Sequence, residues 1–223
     1  MKIRSLIVSI GLLLASVAAA SAEGPAPEFT LKEQYTAKSP DGATTVEQYF
    51  KTDKDGNYIW QFWARRSDSM TLLVPEQEDY PADFRFTRDS RWIVRLQKTG
   101  SGEGSMFLYK LGAEGFVAAT KKPFSDLAWD YFYKQRESRK IRKKPEYHIY
   151  VGLLKGIADN YSSLGENWPD SRYLLIGLSG DADVRDHQTG TINGWQCRYD
   201  LEQGKFDVPQ AFLKQNAKAL IPQ

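Results

Sequence analysis

The stretch "FTRDSRWIVRLQKTGSGEGSMFLYKL", Phe86 to Leu111, places an Asp-Ser turn, a strand, a glycine-rich loop and a second strand in one run. Asp89-Ser90 suits a turn because an Asp carboxylate can accept a bond from its own backbone two residues on. Trp92, Val94 and Leu96 then project from one face, the period of a strand. "KTGSGEGS" (Lys98 to Ser105) reads as a loop and "MFLYKL" (Met106 to Leu111) as the returning strand. The opening recurs in "WPDSRYLLIGLSGDADV", Trp168 to Val184, with the same Asp-Ser-Arg followed by an aromatic and apolar residues.

The echo extends beyond the turn. Asp89-Ser90-Arg91-Trp92 is followed by Tyr109-Lys110-Leu111, and Asp170-Ser171-Arg172-Tyr173 by Tyr199-Asp200-Leu201. A degenerate third start is Ser39-Pro40-Asp41-Gly42. This pattern resembles the Ser-Pro-Asp-Gly strand-turn-strand repeat of Tol-type β-propellers and their exported relatives. The resemblance implies blades in which the Asp and its small neighbour make a tight turn before an inner strand, with Tyr-x-Leu on the next strand. Two β-hairpins with Asp-x turns would read the same way, so a sandwich stays open beside the propeller. A blade takes about 40–50 residues, so this length holds at most about four.

The rest of the chain agrees with a mainly β fold. Val46, Gln48 and Phe50 alternate with Glu47, Tyr49 and Lys51, "KDGN" (Lys54 to Asn57) is a turn, and "YIWQFWARR" (Tyr58 to Arg66) closes the hairpin. "MTLLV" (Met70 to Val74) is a further strand, followed by an acidic loop between Pro75 and Pro81. "EYHIYVGLL" (Glu146 to Leu154) and "YLLIGL" (Tyr173 to Leu178) are strands, and the polar residues from Ser179 to Asn193 are expected to form a long loop. "WQCRYDL" (Trp195 to Leu201) alternates cleanly. Two helices are expected. Ser125 caps one, with Leu127, Ala128, Tyr131 and Phe132 on one side; Asp207 caps a C-terminal one striped by Leu213, Ala217 and Leu220. The expected architecture is an antiparallel sandwich or a short propeller-like stack with a mid-chain and a C-terminal helix. The expected domain is 23–223, with repeat units near 39–75, 84–118 and 168–208 and a helical insertion near 125–144.

The first residues have the pattern of a secretory signal peptide. Lys2 and Arg4 precede an apolar run from Leu6 to Ala20, and Ala20-Ser21-Ala22 has the small-x-small form of a cleavage site. The expectation is an exported chain, periplasmic or extracellular, without a membrane span after cleavage. Cys197 is the only cysteine, which argues against a lipid anchor and excludes an intramolecular disulfide. Without Lys2 and Arg4 the chain carries 28 basic and 28 acidic residues and is formally neutral. Stability must come from an ordinary apolar core.

Motifs for catalysis are scarce. With two histidines, His148 and His187, a three-His zinc site is excluded, and no H-E-x-x-H, C-x-x-C, G-x-S-x-G or phosphate-loop pattern occurs. No cofactor is expected. Cys197 shares a face with Trp195 and Tyr199 and reads as apolar filler. Asp181, Asp183 and Asp186 lack the glycine and terminal Glu of an EF-hand loop, and Arg185 lies among them, so a solvated loop is expected there. Paired carboxylates of a carbohydrate-active hydrolase cannot be recognised from spacing, and that reading stands as an alternative.

Two surfaces remain as candidates for binding. "KQRESRKIRKK" (Lys134 to Lys144) holds seven basic residues and one acid, so Arg139, Lys140, Arg142, Lys143 and Lys144 could meet an anionic envelope polymer. Export argues against nucleic acid. The second surface is Ser101, Gly102, Glu103, Gly104 and Ser105, where small residues let a partner approach the backbone. That loop after an apolar strand also resembles the Gly/Ser-rich loop of periplasmic inhibitors of invertebrate-type lysozymes, which implies a protein partner. Trp60 and Trp63 flank Phe62, so one sheet face is a candidate for an exposed aromatic. The leading expectation is an exported, non-catalytic β-domain that binds a protein or an envelope component.

Overall fold

The computed structural model describes residues 24–75, 77–143, 149–154, 171–184 and 189–222. The leader-like segment 1–22, Lys144, both histidines and Asp170 lie outside the described residues. In chain order the strands are β1 (Thr30–Leu31), β2 (Ala37–Lys38), β3 (Thr44–Thr52), β4 (Tyr58–Arg66) and β5 (Ser69–Leu72), followed by β6 (Ala82–Phe86), β7 (Trp92–Gly100), β8 (Glu103–Gly112) and β9 (Gly115–Ala118). Helix α1 (Phe124–Phe132) precedes β10 (Ile141–Lys143), β11 (Tyr150–Leu153), β12 (Tyr173–Val184), β13 (Thr189–Asp200) and β14 (Lys205–Asp207). The short helix α2 (Leu213–Asn216) and β15 (Leu220–Pro222) complete the described chain.

The strands pair as antiparallel meanders. β2-β3-β4-β5 is one, with β1 on the far part of β3. β6-β7-β8-β9 is the second and β11-β12-β13-β14 the third. The second and third join at one parallel register, Tyr150 against Gly104, to give a continuous ten-stranded sheet. The chain is thus mainly β, a curled, propeller-like arrangement of blade-like meanders with a mid-chain and a C-terminal helix.

Alternation along β7 explains how the layers stack. Trp92, Val94 and Leu96 face a core that also takes Phe124, Ala128 and Phe132 of α1, Ile176 of β12 and Trp195 of β13. Ile93, on the opposite face, joins Val46, Trp60, Phe62, Phe84 and Tyr109 in a second core between the first two meanders. One strand therefore serves two apolar layers, and each fully buried large apolar side chain is worth about 1.5–3 kcal/mol.

The recurrent turns have the same bonds in both described copies. Ser39 Oγ donates to Asp41 Oδ1 at 2.6 Å, and Thr87 Oγ1 donates to Asp89 Oδ1 at 2.5 Å. The same carboxylate oxygens accept the N–H of Ala43 at 3.0 Å and of Arg91 at 3.1 Å. The hydroxyls in turn accept the N–H of Thr44 at 2.9 Å and of Trp92 at 3.1 Å. The residue after each Asp has a positive φ, +70° at Gly42 and +58° at Ser90. A further bond ties one turn to the next. Asp41 N–H donates to Ser90 Oγ at 3.1 Å, and Asp89 N–H donates to Ser171 Oγ at 3.0 Å. Leu111 and Leu201 also donate their N–H groups to the carbonyls of Arg91 and Arg172.

Several expectations are corrected. The Lys98–Ser105 loop is a hairpin end: β7 runs to Gly100 and β8 starts at Glu103, with Gly102 at φ +73° in the turn. Of the polar segment after Leu178, the described residues are strand: β12 continues to Val184, β13 starts at Thr189, and the pair is flanked by β10 and β15. Ser125 is no cap. It lies inside α1, buried, because Phe124 is drawn under Tyr199 and Phe206 and the helix begins there, two residues before the Asp126 start that a Ser125 cap implies. Asp207 ends β14 and forms an ion pair with Arg198, so the C-terminal helix shrinks to four residues and Leu213 is exposed. Within 125–144, α1 stops at Phe132, and a 3-10 turn (Glu137–Lys140) and β10 follow. Trp60, Phe62 and Trp63 are all buried, since both faces of β4 are covered.

Candidate functional site

The described structure has a cavity of about 570 Å³ where β6, the β7–β8 turn and β11 converge. Its apolar wall includes Tyr35, Pro81, Leu96, Tyr150 and Val151. Gly102, Glu103, Gly104 and Ser105 form the lip, so four of the five residues nominated in that turn face this cavity, and Ser101 sits at the turn's exposed tip. Sequence neighbours supply only part of it. Tyr35 arrives from a 3-10 turn before β2, Ala82 and Asp83 from β6, and Tyr150 from a strand some fifty residues after the turn.

Gly104 holds the cavity together for a steric reason. Its N–H donates to the Ile149 carbonyl at 3.0 Å, the contact that seats β11 against β8. A Cβ there would lie 3.1 Å from the Tyr150 ring and 3.3 Å from the Gln97 carbonyl. The glycine is therefore needed for close approach of two strands, a demand that its sequence neighbourhood does not reveal.

Strand β6 forms the other wall, and side chains cover its outer edge. Gln48 Nε2 donates to the Ala82 carbonyl at 2.6 Å, and the Ala82 N–H donates to Gln48 Oε1 at 3.0 Å. The same amide group donates to the Tyr35 carbonyl at 2.9 Å, fixing that aromatic's segment against the strand. One residue pair further on, Phe84 N–H donates to Asp83 Oδ1 at 3.2 Å and Arg85 Nη1 donates to the Phe84 carbonyl at 2.6 Å. Asp83 and Arg85 are themselves joined by two bonds, at 2.5 and 2.7 Å. An edge covered in this way resists further strand pairing.

A second cavity of about 710 Å³ lies on the other side of Tyr35, Ala82 and Asp83, which line both. Lys38, Arg85 and Arg88 give it a cationic border. Lys38 and Arg88 are exposed, and neither forms an ion pair among the described residues.

A second buried cation besides Arg85, Arg95, lines neither cavity. The Arg95 guanidinium lies 4.0 Å from the Phe62 ring centre and 4.8 Å from that of Phe107, and pairs with Glu78 at 3.0 Å. Burial pushes Arg95 below its ordinary range and, against the pull of Arg95, raises Glu78. Cys197 is fully buried and burial pushes its thiol well up, as befits packing and not nucleophilic chemistry. No group of three or more His, Cys, Asp or Glu placed to hold a metal occurs among the described residues.

The basic run is placed elsewhere. Arg139 is exposed in the 3-10 turn, which Lys140 ends, and Arg142 and Lys143 belong to β10 at the far end of β12; Lys144 lies outside the described residues. Arg139, the one of these residues whose side chain is described, does not line the cavity at the turn. Sequence reasoning missed Tyr35, Asp83 and Tyr150, which carry no local motif and meet only through strand pairing.

No helix among the described residues is long and apolar enough to cross a membrane. No protein-family model matches the chain, and no curated protein matches it. Among solved structures the chain is similar to the beta-propeller domain of the Trilobed protease from Pyrococcus furiosus, described as having an open velcro topology, with a TM-score of 0.39 and 11% identity over 81% of this chain and 42% of that chain.

Proposed function

We propose that the chain is an exported, non-catalytic binding domain that holds a cell-envelope component in the cavity between β6, the β7–β8 turn and β11. The observation that carries this reading is the cavity itself: about 570 Å³, walled by Tyr35, Leu96, Tyr150 and Val151 and rimmed by the turn. That volume lies within the range of clefts that bury a small organic ligand. The leader-like first residues support export. The recurrent turns, with their shared bonds, support a repeated unit of the Tol type.

The carboxylates of the cavity favour binding over hydrolysis. Asp83 is engaged by Arg85 through both oxygens, which leaves Glu103 as the one cavity carboxylate without an ion pair among the described residues. A glycosidase needs two carboxyl groups in complementary roles.

The test is native mass spectrometry of residues 23–223 after incubation with envelope extract. Wild type should retain an extracted species, and Ser105→Trp, which fills the cavity, should lose it. Tyr35→Ala, at an exposed position, should weaken retention without affecting folding. Equal retention by all three would refute the reading. Loss on replacing Arg139, Lys140, Arg142, Lys143 and Lys144 by alanine, with no effect of Ser105→Trp, would move the site to the basic run.

A further inference from the structure

We infer that the occupant is a single-chain amphiphilic anion, its apolar tail in the cavity beside Leu96 and Val151 and its anionic head at Lys38 and Arg88. This rests on the binding role proposed above and specifies its chemistry.

Two observations combine. The first is the juxtaposition of unlike environments. An apolar cavity and a cationic one meet at Tyr35, Ala82 and Asp83, so one elongated molecule can occupy both. At the cationic end Arg85 is already neutralised by Asp83, whereas Lys38 and Arg88 are exposed and hold no ion pair with a described residue. An anionic group placed there gains two positive charges well within a Debye length, about 8–10 Å at moderate salt.

The second observation concerns what the groove cannot recognise. An extended peptide lying beside β6 would need the strand's outward N–H and C=O groups. Those of Ala82 are taken by Gln48, and those of Phe84 by Asp83 and Arg85. Main-chain pairing, the usual source of affinity for an added strand, is therefore closed at two successive outward positions. A ligand that brings an alkyl chain and a headgroup, with no backbone to pair, needs none of those groups.

The experiment is calorimetric titration of residues 23–223 with hexyl, octyl and decyl phosphate, all below their micelle concentrations, and with decanol as the neutral control. Affinity should rise roughly fourfold per added methylene, the equivalent of burying each one. Lys38→Ala with Arg88→Ala should weaken decyl phosphate about tenfold and leave decanol unchanged, as expected for two exposed charge contacts. Ser105→Trp should remove the dependence on chain length. Binding that ignores chain length would reduce the site to a simple anion contact and overturn the inference. So would equal affinity for decanol and decyl phosphate. The two readings fail separately. If an extracted species is retained and lost in Ser105→Trp while decyl phosphate does not bind, the binding role stands and the amphiphile falls. If Ser105→Trp retains the species as wild type does, the binding role falls first.

Discussion

Ser90 combines two demands that pull on residue choice in opposite directions. Its φ of +58° favours glycine, yet its hydroxyl accepts the Asp41 N–H across the gap between the first two meanders. Ser90→Ala should cost about 1–2 kcal/mol, from the lost bond at unchanged backbone strain. Ser90→Gly loses the same bond but relieves the strain, so it should cost less than Ser90→Ala; urea unfolding of the two variants decides this. Gly42 shows the residue chosen in the first copy, where no hydroxyl is used. Arg95 makes the opposite lesson. The chain offers it as one polar residue of an alternating strand, and only the assembled neighbours Glu78, Phe62, Phe107 and Tyr109 explain its full burial. Arg95→Met leaves Glu78 half-buried without its partner and should cost about 3–5 kcal/mol. Adding Glu78→Gln to it should recover part of that loss in the same urea assay, because burial disfavours the charge on both groups.

At the scale of elements, short local signals were legible and long-range ones were not. The Asp41-Gly42 and Asp89-Ser90 turns could be read because Asx chemistry is confined to a few residues. The extensions of β12 and β13 could not. Their polar, glycine-containing sequence is that of a loop, and pairing with β10 and β15 makes it strand. The helix starts failed for a similar reason: Phe124 and the Arg198–Asp207 pair outweigh the capping preferences of Ser125 and Asp207. The turn of the first copy also carries a pH signature. The Ser39 hydroxyl and then the Ala43 N–H hold the Asp41 carboxyl below its ordinary value of 3.8, against a smaller opposing effect of burial. A depressed folded pKa means that the stabilisation is present above the unfolded value and is lost as pH falls through the folded one. Asp41→Asn should therefore be less stable than wild type at neutral pH, and the gap should narrow below about pH 3.8, as followed by urea midpoints down to about pH 2.5.

At the scale of the whole molecule, the mainly β class and the presence of a mid-chain and a C-terminal helix were legible in sequence. The expected stripe of Leu213, Ala217 and Leu220 was not, since Leu213 is exposed and Leu220 belongs to β15. The site was half legible. The glycine-rich segment was singled out for its small residues, and it does rim a cavity, but the walls come from Tyr35, β6 and β11, which no single stretch of sequence brings together. The basic run was equally conspicuous in sequence, and its described backbone belongs to a 3-10 turn and to β10, paired with the far end of β12. Charge density alone could not rank the two surfaces; the proposed function chooses between them on concavity and apolar lining. The most direct measurement is amide hydrogen exchange on residues 23–223 with and without envelope extract. The account predicts new protection in 82–86, 98–105 and 150–153, with 134–143 unchanged. Protection confined to 134–143, or none in the three cavity segments, would contradict it.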